Sequence, residues 1–416
     1  MNELQAIVDA FVETDARGER AVLATVVSVA GSAYRRPGAR MLVTETGMTV
    51  GSISGGCLEA DVIERAGSVI ASGVPTLVEY NTRGQEDIVW GLGLGCNGVV
   101  RILIENLASN GHAAKALQFA RDCLDSRSKG VTATLVNIEG KSKRLHHGRW
   151  STLGPVPHAI GMRVQFTEKE LRDSINAPAN GLTRDIWEDA SLALAGGRSH
   201  TRAYEPDGIE VFFDVIQPPR SLVVFGAERD ALPVVALAKT IGWHVTLVDV
   251  KARVASRERF SEADEFILSR AEDIGTHLSL ARDTAVVLMT HNYLADIELL
   301  KLLLRSPIDY LGVLGPRLRT ESLLAEVETQ GVVITPSQLG RLHAPIGIDI
   351  GAETPEEIAL SIISEIKAVD AARQGGFLRE RDAPIHTDEF VLPGSIKTFA
   401  HTQSNQATPT KLVCLS

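Results

Sequence analysis

The sequence changes its rhythm at Gln217-Pro218-Pro219-Arg220, and this change constrains the fold more than any other feature. Two adjacent prolines cannot continue a helix or a central strand, so they indicate a break between two units. Beyond the break, short apolar strands alternate with helices, which predicts a parallel sheet covered on both faces. The predicted elements are strands at 222–225, 244–248, 266–269, 285–289 and 310–314, helices at 230–241, 294–304 and 317–329, and a last helix capped by Thr354.

The residues before the break mix helical and extended patterns. Residues 2–16 predict an amphipathic helix and Ala21–Val29 an apolar strand, whereas residues 140–200 show little pattern apart from scattered turns and a helix near 185–195. The sequence therefore predicts an α/β protein with three parts: a mixed α/β N-terminal domain at 1–217, a Rossmann-like parallel-sheet C-terminal domain at 221–380 and a loosely ordered tail at 381–416.

Composition and charge argue against several classes of partner. The formal net charge of −10 disfavours nucleic acid and anionic membranes, because both require a basic face. The N-terminus lacks the basic start and apolar run of a secretory signal, and no apolar stretch is long enough to span a bilayer. Four cysteines at irregular spacings do not form a disulfide framework. These features together predict a cytoplasmic protein.

Glycines surround two of the cysteines. Cys57 ends the run Ser54-Gly55-Gly56-Cys57, and Cys96 ends the run Gly93-Leu94-Gly95-Cys96. Glycine lets a backbone turn tightly and approach a ligand closely because it has no Cβ. Apolar residues after Cys57 recur at helical spacing, so its thiol is expected near a helix N-terminus, where a thiol ionises more readily. The alternative is a small buried residue that packs the helix against the sheet. Cys123 and Cys414 are interpreted as structural or incidental.

A dinucleotide-binding fingerprint belongs between the first strand and first helix of the second domain, but it is incomplete here. Gly226 and Asp249 stand where the first glycine and the ribose-binding acid are expected. Glu228 replaces the middle glycine, which adds bulk and a negative charge. At ~4 Å that charge would repel a pyrophosphate by roughly 4 kcal/mol. The sequence therefore disfavours NAD(P) as a cofactor.

Three further polar residues lie in loops at the edge where α/β proteins bind ligands. His291 follows a predicted strand, and His343 and Asp349 flank a proline and a glycine in a later loop. We interpret all three as candidate site residues. The alternative for His291 is a turn histidine hydrogen-bonded to the backbone. No residue is assigned a catalytic role, because the sequence contains no zinc-protease, phosphate-loop or nucleophile-elbow motif.

Long motifs follow one another from residue 1 to about residue 372. They are Ala24-Thr25-Val26-Val27-Ser28-Val29, Gly31-Ser32-Ala33-Tyr34-Arg35-Arg36-Pro37-Gly38-Ala39, Gly51-Ser52-Ile53-Ser54-Gly55-Gly56-Cys57-Leu58-Glu59, Gly93-Leu94-Gly95-Cys96, Ala263-Asp264-Glu265, Met289-Thr290-His291, Gly312-Val313-Leu314-Gly315 and His343-Ala344-Pro345-Ile346-Gly347-Ile348-Asp349-Ile350-Gly351-Ala352. With these motifs the chain resembles the XdhC/CoxI family, the accessory proteins that mature xanthine dehydrogenase and related molybdenum hydroxylases.

The resemblance implies a molybdenum cofactor chaperone rather than an enzyme that hydroxylates a substrate. Such a protein binds molybdenum cofactor, protects it, presents it for sulfuration and hands it to the apo-enzyme of a molybdenum hydroxylase. The resemblance also implies a homodimer, with a cysteine desulfurase as a further partner. The sequence departs from the family pattern at Glu228, where many relatives have glycine, and at Asn292, where an acid is expected.

Under this resemblance, the N-terminal loops would hold the phosphate and pterin end of the cofactor. Arg35, Arg36 and Arg40 offer guanidinium groups whose forked geometry suits a phosphate. Free N–H groups at the helix that follows Gly55-Gly56 would add a phosphate cradle. The alternative for the arginines is that they are solvated loop charges.

The resemblance implies two further sets of site residues. Cys57 and Cys96 would contact the metal or carry sulfur towards it, because soft thiolates suit a soft metal–sulfur centre. His291, His343 and Asp349 would close the cleft or form part of a dimer surface.

Two other functions stay open at the level of sequence. One is an NAD(P)-dependent oxidoreductase that uses the second domain, with Cys57 or Cys96 as a redox thiol. Glu228 speaks against it. The other is a scaffold without a small ligand, in which the glycine loops only shape an interface.

Overall fold

The computed structural model describes residues 3–56, 58–81, 98–138, 160–173, 178, 181–204, 208–251, 256–382 and 385. Three sheets organise this part of the chain. Sheets A and B are antiparallel and use strands that precede residue 217, whereas sheet C is parallel and uses strands that follow residue 220. The predicted α/β fold, with a Rossmann-like parallel sheet in its C-terminal part, is confirmed.

Sheet A has five strands in the order β3-β2-β1-β5-β4. Its strands and its three helices are β1 (Ala21–Gly31), β2 (Arg40–Thr44), β3 (Thr49–Gly51), β4 (Thr76–Asn81), β5 (Gly98–Asn106), α1 (Glu3–Ala16), α2 (Glu59–Ser72) and α3 (His112–Asp125). Alternate residues of β1 face opposite sides of the sheet, as a strand requires. Val22, Ala24 and Val26 pack with α2. Ala21 and Leu23 pack with α1 and α3.

Sheet B has four strands in the order β7-β6-β9-β8. Its strands and helices are β6 (Gly130–Ile138), β7 (Arg163–Thr167), β8 (His200–Tyr204), β9 (Ile209–Ile216), α4 (Glu168–Arg172) and α5 (Leu182–Gly196). Buried side chains of both sheets, among them Val27, Leu103 and Phe212, pack together between sheets A and B. A buried ion pair between Glu105 and Arg163, whose side chains are 3% and 7% exposed, joins the same two sheets.

Sheet C has six parallel strands in the order β12-β11-β10-β13-β14-β15. They are β10 (Ser221–Phe225), β11 (His244–Asp249), β12 (Glu265–Leu268), β13 (Thr284–Leu288), β14 (Tyr310–Val313) and β15 (Leu342–His343). The chain starts in the middle of the sheet, adds two strands on one side and crosses back to add three on the other. This order is typical of dinucleotide-binding sheets and creates a crevice where β10 and β13 diverge.

Helices cover both faces of sheet C. The helices of this part of the chain are α6 (Ala231–Thr240), α7 (Ser256–Arg259), α8 (Tyr293–Arg305), α9 (Arg317–Thr329), α10 (Pro336–Leu339) and α11 (Pro355–Asp370). Helices α6 and α11 share one core with the sheet, and α8 and α9 share the other. Helix α11 begins as predicted: the Thr354 side chain accepts a hydrogen bond from the Glu357 N–H, and the Glu357 carboxylate accepts one from the Thr354 backbone N–H.

None of the helices in the described part of the chain combines the length and apolarity that crossing a bilayer requires.

Candidate functional site

The two predicted thiol ligands, Cys57 and Cys96, lie outside the described residues. Their proposed contact with a metal therefore stays a prediction. The residues on both sides of Cys57 are described, and so are Arg35, Arg36 and the three candidate residues of the second domain.

The turn that precedes helix α2 is organised by the carboxylate of Glu59. Its Oε1 atom accepts hydrogen bonds from the Ser54 backbone N–H at 2.9 Å and from the Ser52 hydroxyl at 3.0 Å. Its Oε2 atom accepts from the Ser54 hydroxyl and from the Leu58 N–H. Burial acts to raise the pKa of Glu59, but the hydrogen bonds from Ser54 and Ser52 outweigh it and hold the pKa below its ordinary value. A negative charge of the chain itself therefore lies at the centre of this turn.

This arrangement corrects one prediction. The N–H groups after Gly56 were expected to be free for a phosphate, but the Leu58 N–H donates to Ser54 Oγ at 3.1 Å and to Glu59. The Gly56 N–H also donates to Ser54 Oγ, at 3.2 Å. The expected phosphate cradle is therefore wrong at Leu58, because a serine hydroxyl and a carboxylate already accept its hydrogen bond.

Arg35 and Arg36 line an open cleft of about 400 Å³ between the start of helix α1 and the loop that follows β1. The Arg35 guanidinium forms an ion pair with Glu3 of α1. The other oxygen of the Glu3 carboxylate accepts a hydrogen bond from the Ser52 N–H at 3.0 Å. Glu3 therefore ties the arginine loop to the segment that leads into the glycine turn.

The aromatic ring of Tyr34 makes a second link between the two loops. A Cβ added at Gly55 would lie 3.6 Å from the ring, so the glycine backbone packs directly against it. Tyr34 itself is 72% exposed. The arginine loop and the glycine turn are therefore in direct contact.

Arg40 lines the same cleft as Arg35 and Arg36 but is paired with a carboxylate of sheet B. Its guanidinium forms an ion pair with Asp214 of β9, and the two side chains are only 11% and 13% exposed. The predicted phosphate role of Arg40 is not supported, because this charge already joins sheet A to sheet B.

Packing explains why a glycine stands at position 226 of the incomplete fingerprint. Gly226 has a φ of +118°, and a Cβ there would overlap the carbonyl oxygen of Met289. A glycine is therefore required by the close approach of two backbones, independently of any nucleotide.

Glu228 forms an ion pair with Lys251 at 2.6 Å, which neutralises much of the charge that would repel a pyrophosphate. Asp249 is buried and accepts a hydrogen bond from the Lys251 N–H. That the sequence disfavours NAD(P) therefore stays a prediction.

His291 lies at the crevice between β10 and β13, as the sequence predicted for a loop at this edge. Its Nε2 atom lies 2.6 Å from Asp230 Oδ2, so its partner is a carboxylate rather than the backbone. Its φ of +51° is in the left-handed region, which non-glycine residues rarely adopt. Asn292, which follows, caps helix α8 by accepting hydrogen bonds from the Leu294 and Ala295 N–H groups.

His343 belongs to a different cluster, centred on Glu365 of α11. His343 Nδ1 lies 3.2 Å from Glu365 Oε1, and the Tyr310 hydroxyl donates to Oε2 at 2.5 Å. The His343 and Tyr310 rings are stacked, with centroids 4.4 Å apart. Burial acts to raise the pKa of Glu365, but its hydrogen bonds with His343 and Tyr310 hold the pKa below the ordinary value. Burial, together with Glu365, raises the pKa of Tyr310.

Asp349 lines a cleft of about 440 Å³ at the carboxyl ends of β14 and β15. Its side chain is exposed. Among the described residues, no hydrogen bond or ion pair joins Asp349, His343 and His291 to one another or to Arg35. The structure therefore brings the arginine loop together with the glycine turn, but it distributes the second-domain candidates over three separate surroundings.

Sequence reasoning missed four residues that shape these surroundings: Glu3, Tyr34, Glu59 and Glu365. Glu365 could have been identified from sequence, because it is an acidic residue next to the apolar face of a helix with a clear capping box. Glu3 carried none, since its partners Arg35 and Ser52 are 32 and 49 residues away in sequence.

No group of three or more His, Cys, Asp or Glu side chains within the described ranges is arranged to hold a metal ion.

Comparisons with known proteins agree on one family. A model of the XdhC and CoxI family matches residues 15–81, and a model of the XdhC Rossmann domain matches residues 222–366. A probable subunit of xanthine dehydrogenase from Bacillus subtilis (strain 168) is 30% identical over 371 residues, which cover 88% of this chain and 97% of the relative.

Two further relatives extend the comparison. The molybdenum cofactor insertion chaperone PaoD of Escherichia coli (strain K12) is 24% identical over 359 residues, which cover 86% of each chain. A crystal structure of a xanthine dehydrogenase from Bacillus halodurans matches with a TM-score of 0.66 at 26% identity, and the match covers 91% of this chain and 98% of that one.

Proposed function

The chain belongs to the XdhC and CoxI family, and from this premise we propose that it binds molybdenum cofactor and inserts it into a molybdenum hydroxylase of the xanthine dehydrogenase type. Its relatives carry names of that kind: one is a probable subunit of xanthine dehydrogenase, and another is a molybdenum cofactor insertion chaperone. The cofactor is cargo in this proposal, so the protein holds and transfers it without turning it over.

One observation carries the proposal. The cleft lined by Arg35 and Arg36 adjoins the Gly55-Gly56 turn that leads directly to Cys57, because Tyr34 and Glu3 link the two loops. A pterin cofactor with a phosphate at one end and a metal–sulfur centre at the other needs anion donors beside a soft ligand. Guanidinium groups supply the first requirement and a thiolate supplies the second.

The charges around Arg35 suggest how cargo would be held and released. Arg35 is partly buried and paired with Glu3, so its guanidinium is oriented before a ligand arrives. An incoming phosphate competes with the Glu3 carboxylate for the same donors. Such competition keeps the affinity moderate, which suits a protein that must give its cargo away.

The remaining roles follow from the same scheme. Cys57 and Cys96 contact the metal or carry sulfur towards it, and a cysteine desulfurase supplies that sulfur. The client is the apo-form of a molybdenum hydroxylase. A homodimer in the cytoplasm, where thiols stay reduced, suits these steps.

Purification from cells that make molybdenum cofactor tests the proposal. The wild-type chain should retain molybdenum near stoichiometry and should show pterin fluorescence after oxidation. Cys57→Ala should lose most of the molybdenum, whereas Cys123→Ala is the matched control, because Cys123 is buried between α3 and β6. A wild-type chain without molybdenum and pterin would contradict the proposal.

An NAD(P)-dependent oxidoreductase is the second candidate. The strand order of sheet C and the position of Asp249 favour it. Glu228 disfavours it by replacing the middle glycine of the fingerprint, although the ion pair with Lys251 neutralises much of the glutamate charge. Titration with NADH and NADPH separates the two: tight binding of either, in a chain that retains no pterin, favours the oxidoreductase.

A further inference from the structure

The cleft that contains Asp349 is formed largely by residues 345–352, which take no part in the N-terminal site. One wall is the turn after β14, Leu314–Pro316, and the other is the loop after β15, Pro345–Ala352. Most of the lining is aliphatic or proline, including Ile346, Ile348 and Ile358. Its volume of about 440 Å³ is within the range of small-ligand pockets, which are mainly apolar with a few oriented polar groups.

Asp349 is the only charged side chain lining this cleft among the described residues. Its carboxylate has no hydrogen-bond or ion-pair partner in the described part of the chain, so both oxygens can accept from a ligand. An ionised carboxylate only accepts hydrogen bonds, and its two oxygens match two parallel N–H donors. The complementary ligand therefore carries paired N–H donors at the edge of an apolar, flat body.

The loop that carries Asp349 is held in place before any ligand binds. The Ser361 hydroxyl donates to the Ile348 carbonyl at 2.6 Å, and the Gly347 N–H donates to Glu365 at 2.9 Å. Gly347 has a φ of +107°, and a Cβ there would overlap the Ser361 hydroxyl. Helix α11 thus fixes the backbone on both sides of Ile348, which reduces the ordering cost of binding.

We propose that this cleft binds a 2-amino-4-oxopyrimidine ring, with the amino group and the adjacent ring N–H donating to the two oxygens of Asp349. The isoleucine and proline side chains cover the faces of the ring, and the carboxylate accepts hydrogen bonds from the edge that carries the two N–H donors. Two kinds of molecule contain this ring, pterins and guanine nucleotides. The inference rests on the proposed function, since the pterin is the heterocycle that the cargo contains.

Binding of unphosphorylated probes to the full chain tests the proposal. The protein is purified from cells unable to make the cofactor, and 6-hydroxymethylpterin is titrated by fluorescence anisotropy, with guanosine and adenosine titrated by calorimetry. Pterin or guanosine should bind, and adenosine, which lacks the paired donors, should bind at least tenfold more weakly. Asp349→Asn should weaken binding by roughly 10- to 100-fold, as expected for loss of charge-assisted hydrogen bonds.

The control is Asp273→Asn, an exposed acid elsewhere on the same domain, which should leave the affinity unchanged. Asp349 is exposed, so Asp349→Asn should unfold at the wild-type temperature. Tighter binding of pterin identifies the cargo as the source of the ring, and tighter binding of guanosine identifies a guanine nucleotide.

Three results would overturn the proposal: equal binding of adenosine, no effect of Asp349→Asn, or no binding of any probe up to millimolar concentration. A wild-type chain that retains molybdenum while one of these results holds would leave the proposed function standing and remove only this inference.

Discussion

The Glu3 carboxylate pairs with the Arg35 guanidinium and also accepts a hydrogen bond from the Ser52 N–H, 3.0 Å away. One acid thus connects the first helix, the arginine loop and the segment before the glycine turn. The connection has a direct consequence for anion binding, because Glu3 and an incoming phosphate compete for the same guanidinium.

Glu3→Gln should increase the affinity of the cleft for inorganic phosphate. Glutamine keeps an oxygen acceptor for the Ser52 N–H but removes the negative charge. The pair is partly exposed, so the gain should be at most about 1 kcal/mol, or roughly fivefold. Calorimetric titration at low salt measures it, with Asp9→Asn on the same helix as the control. Weaker phosphate binding in Glu3→Gln would contradict this expectation, because it would mean that the orienting effect of Glu3 on Arg35 outweighs its competition with phosphate.

Glu59→Gln should destabilise the protein in a pH-dependent way. The pKa of Glu59 is lowered in the folded state, so its carboxylate stabilises the fold above the ordinary value of 4.5, and this contribution is lost as the pH falls through the lower folded value. At pH 7 the substitution should cost about 1–2 kcal/mol, because several hydrogen bonds to a charged acceptor are weakened and the group is partly solvated.

Thermal unfolding of both proteins from pH 7 to pH 3 measures this difference, which should be largest at pH 7 and shrink below pH about 4. Glu64→Gln, at an exposed position of the same helix, is the control. A difference that grows on acidification would contradict the assigned role of the carboxylate.

Arg163→Leu should destabilise the packing of sheet B on sheet A. The Glu105–Arg163 pair is almost fully buried, and removal of one partner leaves a buried charge uncompensated. The expected loss is roughly 3–5 kcal/mol of the free energy of unfolding, and Glu105→Leu combined with Arg163→Leu should recover much of it. Denaturant unfolding measures both. Arg184→Leu, which breaks the exposed Arg184–Glu188 pair, should cost at most about 0.5 kcal/mol. A double variant less stable than the single would argue against this account.

Gly226→Ala should impair folding whether or not a nucleotide is present. A Cβ would overlap the Met289 carbonyl oxygen, and the φ of +118° is strained for alanine, so a loss of about 3 kcal/mol or more is expected. Gly67→Ala, on an exposed helical face with open space around it, should instead stabilise by about 0.5–1 kcal/mol. Unfolding without nucleotide measures both. Wild-type stability of Gly226→Ala would refute the packing explanation.

The sequence predicted the elements well where a local pattern carried the information. Apolar periodicity located α1 and β1, and the cap at Thr354 located α11, because these features depend on residues within one or two turns. Strand–helix alternation after Pro219 predicted the parallel sheet. Within residues 140–200 only a helix near 185–195 was predicted, and it corresponds to α5. Strands β7 and β8 were not predicted, because these short strands are stabilised by pairing with β6 and β9 rather than by their own pattern.

The candidate site shows the same division. The sequence by itself determined which segments are candidates for binding: the arginine loop, the glycine turn and the loop that contains Asp349 were all identified from their residue types. Only the tertiary structure decided what these residues contact. It pairs Arg40 with Asp214 across 174 positions, sets Tyr34 against Gly55, and groups His343 with Glu365. Hydrogen bonds and ion pairs depend on distance in space, and a chain brings distant residues together only after its helices and sheets have packed.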